Sequence, residues 1–259
     1  MACVNFLFGS FLSERERELI VRNHYRIRSC ELVDIVRFQG DGSKLLNQVE
    51  VHGLDNLRNV LAEGKGAVVC SAHFTRKEVT AFSMIGALGF PITIIARWTS
   101  RSNFRQLHFA RPNIERQPGN LSIAVQATKV LRRNELIGIM IDHAVRRKDN
   151  SRVATFDFMG RKARLVPGAS SLAQLTGSPL VVITIHRAGD WRHQVLEVSP
   201  PIEVHGDLLK AYGECLRIVE ATIMRYPAQW RRLEKSVLRA MGLMPYDAAF
   251  GQVQLGAPN

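Results

Sequence analysis

Residues 66–72 read Gly-Ala-Val-Val-Cys-Ser-Ala and are followed directly by His73. The run is short, apolar and rich in valine, which is typical of a strand buried on both faces of a sheet. Similar strand patterns occur at 48–51, 91–96, 136–141, 179–185 and 194–198, and helical patterns at 54–62, 76–88, 122–132 and 167–175. Strands that alternate with helices predict an α/β fold, a single layered domain with a mostly parallel central sheet flanked by helices.

The 259 residues contain no repeat and no linker rich in Gly, Pro or Ser, so we expect one domain over 1–259. Its N-terminal region, 1–40, is predicted to be helical, because Ser13 and Glu16 form a capping box ahead of an apolar stripe that runs to about Phe38. The predicted stripe consists of Leu19, Ile20, Tyr25, Ile27, Leu32, Ile35 and Val36. The α/β core occupies 41–259 and ends in a helical part, 208–241, interrupted at Pro227.

The composition excludes a disordered chain, since 46% of the residues are hydrophobic and only 22% are charged. The charge is unusual, with 35 Lys and Arg against 23 Asp and Glu, a formal net charge of +12. Such a field favours anionic partners: nucleic acid, anionic lipid, a phosphorylated substrate or an acidic carrier protein. A basic surface that is merely solvated is the alternative.

Several kinds of site lack their signatures. The sequence has no G-x-S-x-G, G-x-x-x-x-G-K-[ST], G-x-G-x-x-G, H-E-x-x-H or C-x-x-C motif. It also has no apolar run of the roughly 18 to 20 residues that a membrane span needs. We therefore expect no metal site, no bound cofactor and no spanning helix, and expect the four cysteines to be reduced and buried.

The strongest candidate for chemistry is an H-x4-E pair, His73 and Glu78. His73 closes the buried strand, and Glu78 lies in the first turns of the predicted next helix. A strand-to-helix turn can fold the carboxylate back onto Nδ1 of the imidazole, which would leave Nε2 to take a proton as a general base. A structural histidine beside a surface glutamate is equally compatible with the spacing alone.

Three further segments accompany this pair. Gly138-Ile-Met-Ile-Asp142 is followed by His143, and Asp142, like His73, stands at the end of a buried strand, where α/β sheets bind ligands. Phe156-Asp-Phe-Met-Gly160-Arg161-Lys-Ala-Arg164 contains an F-x-G-R block, and Tyr226-Pro-Ala-Gln-Trp230 contains P-x-Q-W. In this order, over roughly 5–235, the segments resemble the bacterial lipid A biosynthesis lauroyl/myristoyl acyltransferase family, within the lysophospholipid acyltransferase superfamily.

The resemblance implies transfer of a fatty acyl group from an acyl-carrier-protein or acyl-coenzyme A thioester to a hydroxyl of a lipid or glycolipid acceptor. His73 would be the general base and Glu78 its orienting partner. The implied substrate-binding residues are Asp142, Gly160, Arg161 and an arginine between the first two blocks, either Arg111 or its rival Arg105. Gly160 is expected in a turn that a Cβ would strain, and Asp142 is expected to organise the basic groups of the site.

The implied partners are an acidic carrier protein or coenzyme A thioester and an anionic membrane lipid, with no nucleic acid and no cofactor beyond the thioester. The implied location is the cytoplasmic face of the bacterial inner membrane. Attachment would be peripheral, through basic residues and the apolar side chains Phe6, Leu7, Phe8, Phe11 and Leu12.

One departure from the family pattern concerns the acceptor. After Trp230 the chain reads Arg231-Arg-Leu-Glu-Lys235 instead of an aromatic, His- and Arg-rich stretch, so a glycolipid or a secondary-metabolite alcohol could replace lipid A. Two alternative functions follow from the charge and the fold: a basic nucleic-acid-binding protein, and a catalytically silent homologue that binds membranes.

Overall fold

The computed structural model describes residues 1–37, 46–74, 81–96, 111–115, 122–143, 153–189, 192–233 and 235–243. The described helices are α1 (Ala2–Phe8), α2 (Glu14–Arg37), α3 (Leu54–Ala62), α4 (Ala81–Ala87), α5 (Ser122–Arg132), α6 (Gly168–Thr176), α7 (Leu208–Arg225) and α8 (Lys235–Ala240), with a 3₁₀ turn at Pro227–Gln229. The described strands are β1 (Val49–His52), β2 (Ala67–Ser71), β3 (Ile92–Ala96), β4 (Arg111–Glu115), β5 (Leu136–Met140), β6 (Ala154–Phe158), β7 (Arg161–Leu165), β8 (Leu180–Ala188) and β9 (His193–Val198).

Seven of these strands form one sheet in the order β1-β9-β8-β2-β5-β3-β4. Every neighbouring pair is parallel except β8 and β9, which are antiparallel. The strand predicted over 66–72 is β2, and it lies at the centre of the sheet with all five residues buried. The predicted α/β fold with a mostly parallel sheet between helices is therefore confirmed.

The helices pack closely against this sheet. Gly138 in β5 shows how closely, because a Cβ at this position would lie 3.1 Å from the ring atoms of Phe82 in α4. The aromatic ring thus lies directly on the strand backbone, at a contact tighter than ordinary van der Waals distance. Gly138 therefore allows α4 to pack closely against β5, because it has no side chain to hold the Phe82 ring away.

A second sheet consists of the hairpin β6–β7, which the strand pattern did not predict. Its two-residue turn has positive φ at both positions, +56° at Met159 and +67° at Gly160. Tight hairpin turns require such angles, and glycine adopts them without steric strain. The expectation of a turn at Gly160 is confirmed, while Met159 adopts the same region despite its Cβ.

Helix α2 begins at the predicted capping box, where the backbone amide of Ser13 donates to the Glu16 carboxylate over 2.8 Å. Its predicted apolar stripe is wrong in part, because Leu19, Tyr25 and Leu32 are exposed. The face that packs on the protein is a narrower row at spacings of four and three residues: Ile20, His24, Ile27, Glu31 and Asp34. His24, Glu31 and Asp34 belong to this face because each contacts a polar or charged group of the core.

Polar contacts fix α2 to the segment that follows α7. His24 Nδ1 lies 2.8 Å from the carbonyl oxygen of Ala228, and the buried Glu31 lies 3.5 Å from the Arg231 guanidinium. Asp34 forms an ion pair with the buried Arg187 of β8. A helix attached in this way positions the chain around residues 228–231.

The apolar N-terminus is divided between core and surface. Leu7 and Phe8 are buried, Phe6 and Leu12 are half-buried, and Phe11 is 57% exposed. The expectation that all five side chains contact a membrane is therefore wrong for Leu7 and Phe8, which stabilise the docking of α1. Among the described residues, no helix combines the length and the apolar character that crossing a membrane requires.

Candidate active site

The site forms where β2 and β5 end side by side. The two strands are parallel, with Ser71 paired to Met140, and the amide of Ile141 continues the pairing by donating to the Ser71 carbonyl over 2.9 Å. His73 and Asp142 each lie two residues beyond these paired strand ends. Because parallel strands end at the same edge of a sheet, the register brings the two side chains together.

His73 and Asp142 are joined by two hydrogen bonds. Nδ1 of His73 lies 2.6 Å from Oδ1 of Asp142, and the backbone amide of His73 donates to Oδ2 over 3.0 Å. Asp142 is fully buried, whereas the His73 side chain is 12% exposed. The carboxylate thus lies beneath the ring and the imidazole faces outward, which is the arrangement of a base and its orienting acid.

Trp230 supplies a third donor to the same carboxylate. Its Nε1–H group donates to Oδ2 of Asp142 over 3.0 Å, and its ring packs edge-on against Phe158, with 6.0 Å between the centroids. The next residue along, Arg231, donates its backbone amide to the carbonyl of His73 over 2.8 Å. The F-x-G-R and P-x-Q-W blocks therefore meet at Asp142 through Phe158 and Trp230.

These contacts decide the charge of Asp142. Burial by itself raises the pKa of this carboxyl, but the attraction of the His73 ring, the hydrogen bonds from His73 and the charge of Arg232 together outweigh burial. The pKa of Asp142 consequently lies well below its usual range. A permanently ionised carboxylate next to Nδ1 stabilises the imidazolium that forms when Nε2 takes a proton.

Arg232 fixes the protonation of the His73 ring. Its Nη2 atom lies 2.7 Å from Nε2 of His73. Since arginine has donors and no acceptor, Nε2 must accept this hydrogen bond with its lone pair. The ring proton is therefore on Nδ1, facing Asp142, and the lone pair on Nε2 faces Arg232 at the other end of the ring.

His143 completes the surroundings of Arg232. Its ring stacks on that of His73, with 6.1 Å between centroids and 21° between planes, and its Nδ1 lies 3.2 Å from Nη2 of Arg232. Neighbouring residues in an extended segment usually diverge, yet here Asp142 and His143 both face His73. Within the described ranges, no group of three or more His, Cys, Asp or Glu side chains could hold a metal ion.

The segment that carries Trp230 and Arg232 is fixed from behind by Gln229. Its amide oxygen accepts from the Arg187 amide over 2.7 Å, and its Nε2 donates to the Arg187 carbonyl over 2.9 Å. The Gln229 side chain thus pairs with the backbone of β8 through two hydrogen bonds, much as a neighbouring strand would. The glutamine of the P-x-Q-W block therefore has a positional role, and the tryptophan contacts the site directly.

Comparison with known proteins identifies the family of the chain. Residues 4–239 match the family described as bacterial lipid A biosynthesis acyltransferase, and this match covers most of the chain. The chain belongs to this acyltransferase family. Two relatives, the lipid A biosynthesis palmitoleoyltransferase of Escherichia coli (strain K12) and the lipid A biosynthesis acyltransferase of Shigella flexneri, are each 24% identical over 225 residues. These alignments cover 84% of this chain and 71% of each relative.

The family resemblance inferred from the ordered blocks is thereby confirmed, and the chain is a transferase. Of the acyltransferase site residues predicted from sequence, His73 and Asp142 are brought into contact. Glu78, predicted to hold Nδ1, lies outside the described residues, and so does Arg105. Within the described residues the carboxylate at Nδ1 is that of Asp142.

The backbone of Arg111 lies away from His73. The register places Arg111 beside Thr93, Thr93 beside Ile137 and Ile137 beside Val68, so Arg111 is level with the start of β2. This position is three strands away from β2 and about 16 Å back along the strand direction, at roughly 3.3 Å per residue. The choice between Arg111 and Arg105 stays a prediction, since Arg105 lies outside the described residues.

Arg161 has a different partner from the one predicted. Its guanidinium lies over the ring of Phe6, 3.9 Å from the centroid, and donates to the Phe6 carbonyl over 3.1 Å. A cation over an aromatic face is attracted by the ring electrons, so Arg161 holds α1 against the hairpin. Its expected contact with an anionic part of a substrate stays a prediction.

Two residues of the site were missed from sequence, Trp230 as the donor to Asp142 and Arg232 as the donor to His73. A signal existed for Trp230, since a buried tryptophan requires an acceptor for its N–H group. No sequence signal pointed to Arg232, because adjacent arginines usually remain on the surface. In fact Arg231 contacts Glu31 behind the site, while Arg232 contacts His73.

Proposed function

We propose that this enzyme transfers a fatty acyl group from a thioester of acyl carrier protein or coenzyme A to a hydroxyl group of a lipid A-type lipid or glycolipid. The observation that carries the proposal is the oriented His73, whose Nδ1 contacts the buried Asp142 while its Nε2 lone pair faces Arg232 on the side away from Asp142. The names of the two relatives support a lipid A-type acceptor. The formal net charge of +12 suits acidic carrier proteins, coenzyme A and anionic lipid surfaces.

The reaction needs a base and no covalent enzyme intermediate. The acceptor hydroxyl donates its proton to Nε2 of His73 as its oxygen attacks the thioester carbonyl carbon. A tetrahedral intermediate forms with a negative charge on the former carbonyl oxygen. The carbon–sulfur bond then breaks, the thiolate takes the proton back from His73, and the products are an ester and a free thiol. A positioned base contributes typically 10²- to 10⁴-fold to such a step.

Asp142 acts on this cycle through His73. It holds the proton on Nδ1 in the resting state and stabilises the imidazolium while Nε2 carries the acceptor proton. Glu78 is the carboxylate that the H-x4-E spacing predicts for this role, so we propose that Asp142 orients the ring from the end of β5 and retain Glu78 as a predicted second partner.

Mass spectrometry of membrane lipids tests the proposal. Cells that express the wild-type chain should contain a lipid whose mass is raised by one acyl group relative to cells that lack the chain, and the mass difference gives the acyl length. Cells that express His73→Ala at equal abundance should lack this lipid. Unchanged lipid masses with the wild-type chain, or a full product with folded His73→Ala, would contradict the proposal.

A further inference from the structure

Arg232 differs from the ion-paired arginines of the described chain in its partners. Its Nη2 atom contacts two imidazole nitrogens, Nε2 of His73 and Nδ1 of His143, and no carboxylate lies within ion-pair distance among the described residues. Its Nε atom is buried and has no hydrogen-bond partner in the described part of the chain. The adjacent Arg231 forms an ion pair with Glu31, so two neighbouring arginines differ in the kind of group that they contact.

The charge of Arg232 attracts Asp142 without a direct ion pair, so its hydrogen-bond donors have no anionic acceptor within the described structure. A buried donor without a partner costs about 1–3 kcal/mol, and more when the group is charged. A neutral imidazole is a weaker acceptor for a guanidinium than a carboxylate or an alkoxide, since hydrogen bonds between two charged groups are the stronger ones. The guanidinium is therefore in place to bind an anion that forms in the site.

The position of Arg232 coincides with that of the reacting atoms. An acceptor hydroxyl must come within about 2.6–3.2 Å of Nε2 to pass its proton to His73. Nη2 of Arg232 occupies this place in the resting structure, at 2.7 Å from Nε2. A hydroxyl that takes this position displaces the guanidinium by about one hydrogen-bond length, so the guanidinium stays next to the place where the hydroxyl attacks.

We infer that Arg232 is a catalytic residue that donates hydrogen bonds to the oxyanion of the tetrahedral intermediate. In the resting enzyme the guanidinium covers Nε2 of His73. During the reaction it transfers its donors to the carbonyl oxygen, which becomes negative as the new carbon–oxygen bond forms and the hydroxyl proton passes to Nε2. When the carbon–sulfur bond breaks, the carbonyl is restored and the guanidinium returns. The inference rests on the proposed acyl transfer at His73.

Steady-state kinetics of Arg232→Gln and Arg232→Lys test this role. Loss of an oxyanion donor should lower kcat by roughly 10²- to 10³-fold, with the KM values of donor and acceptor changed little. Arg232→Lys keeps the positive charge but lacks the planar guanidinium with its paired N–H donors. It should therefore retain part of the kcat that Arg232→Gln loses. The matched control is Arg58→Gln, because Arg58 is exposed on α3 and paired with Asp55 away from the site. A loss confined to KM, or an unchanged kcat, would overturn the inference.

A second measurement needs no turnover and separates this inference from the proposed function. Octylphosphonate has tetrahedral anionic oxygens like those of the intermediate, and its binding below the micelle concentration is measured by calorimetry. Arg232→Gln should bind it at least about tenfold more weakly than the wild type or Arg58→Gln. Equal binding by Arg232→Gln and the wild type would overturn the assignment of Arg232. Binding that depends on Arg232 in a wild-type protein without acyl transfer would instead overturn the proposed function.

Discussion

His73 is bound to Asp142 through its side chain and its backbone at once. Nδ1 contacts one carboxylate oxygen at 2.6 Å and the amide of the same residue contacts the other at 3.0 Å. Because the amide lies just beyond the end of β2, it fixes the carboxylate relative to the sheet, and the carboxylate in turn fixes the ring. The imidazole is therefore oriented before any substrate binds.

Replacement of Asp142 by Asn should reduce catalysis far more than binding. The carboxylate accepts from three donors, the amide and Nδ1 of His73 and Nε1 of Trp230, and an asparagine has only one acceptor oxygen. We expect kcat to fall by roughly 10²- to 10⁴-fold with KM nearly unchanged. Asp157→Asn is the control, since Asp157 is exposed and paired only with Lys162 in the described structure. An Asp142→Asn enzyme with wild-type kcat would remove Asp142 from the mechanism.

Glu78 provides the matching test of the H-x4-E prediction. If Glu78 orients the base as the spacing predicts, Glu78→Gln should lower kcat at least about tenfold, because general-base steps depend on the position of the base. The measurement is the same donor and acceptor kinetics used for Asp142→Asn. Full activity of Glu78→Gln beside an inactive Asp142→Asn would show that the aspartate is the orienting carboxylate and that the H-x4-E interpretation is wrong.

The lowered pKa of Asp142 predicts how stability depends on pH. A carboxyl whose pKa is lower in the folded than in the unfolded state stabilises the fold above its unfolded pKa, about 3.9, and this contribution is lost as pH falls through that value toward the folded pKa. The free energy of unfolding of the wild type should therefore exceed that of Asp142→Asn by a constant amount between pH 5 and pH 7. Below about pH 4 the difference should shrink.

Urea unfolding at several pH values measures this difference, with Asp157→Asn as the exposed control. Asp157→Asn should differ little from the wild type at any of these pH values, as expected of a surface ion pair. A stability gap between wild type and Asp142→Asn that widens on acidification would contradict the assigned direction of the pKa.

Trp230→Phe isolates the hydrogen bond from the indole. Phenylalanine keeps an aromatic ring against Phe158 but leaves Oδ2 of Asp142 without the Nε1–H donor. We expect a loss of about 1–3 kcal/mol in the free energy of unfolding and a lower kcat, since the buried carboxylate loses a partner. Tyr212→Phe removes another buried hydrogen bond, to the Ile141 carbonyl, and should lose stability while kcat stays near the wild-type value. Equal effects of both variants on kcat would indicate a general loss of packing.

Membrane attachment should depend on Phe11 and on salt. Phe11 is exposed, whereas Phe8 on the neighbouring turn is buried against the core. Phe11→Ser should weaken binding to anionic vesicles without affecting the melting temperature, while Phe8→Ser should lower the melting temperature. Binding should also fall as salt rises, because each basic residue near an anionic surface contributes about 1 kcal/mol that salt screens. Vesicle flotation at two salt concentrations measures both effects, and equal binding to neutral and anionic vesicles would contradict the prediction.

The sequence determined the parts of this protein that depend on local pattern. The apolar run before His73 predicted β2, and the runs at 91–96 and 136–141 predicted β3 and β5, because burial on both faces requires continuous apolar side chains. The helices at 54–62 and 122–132 were predicted with their observed bounds. The β6–β7 hairpin was not predicted, because its strands contain several charged residues and its turn includes Met159 at positive φ.

Only the tertiary structure decided which groups meet at the site. The contact of His73 with Asp142 depends on the register of two strands that are 69 residues apart in the chain at these positions. Trp230 and Arg232 reach the site because α2 and Gln229 fix the segment after α7 against β8, at a separation of 159 residues between Arg232 and His73. The hydrophobic pattern of a sequence predicts whether a side chain is buried, but not which distant segment packs against it. The sequence alone therefore identified His73 as the candidate base, while the fold brought its carboxylate and its guanidinium into contact with it.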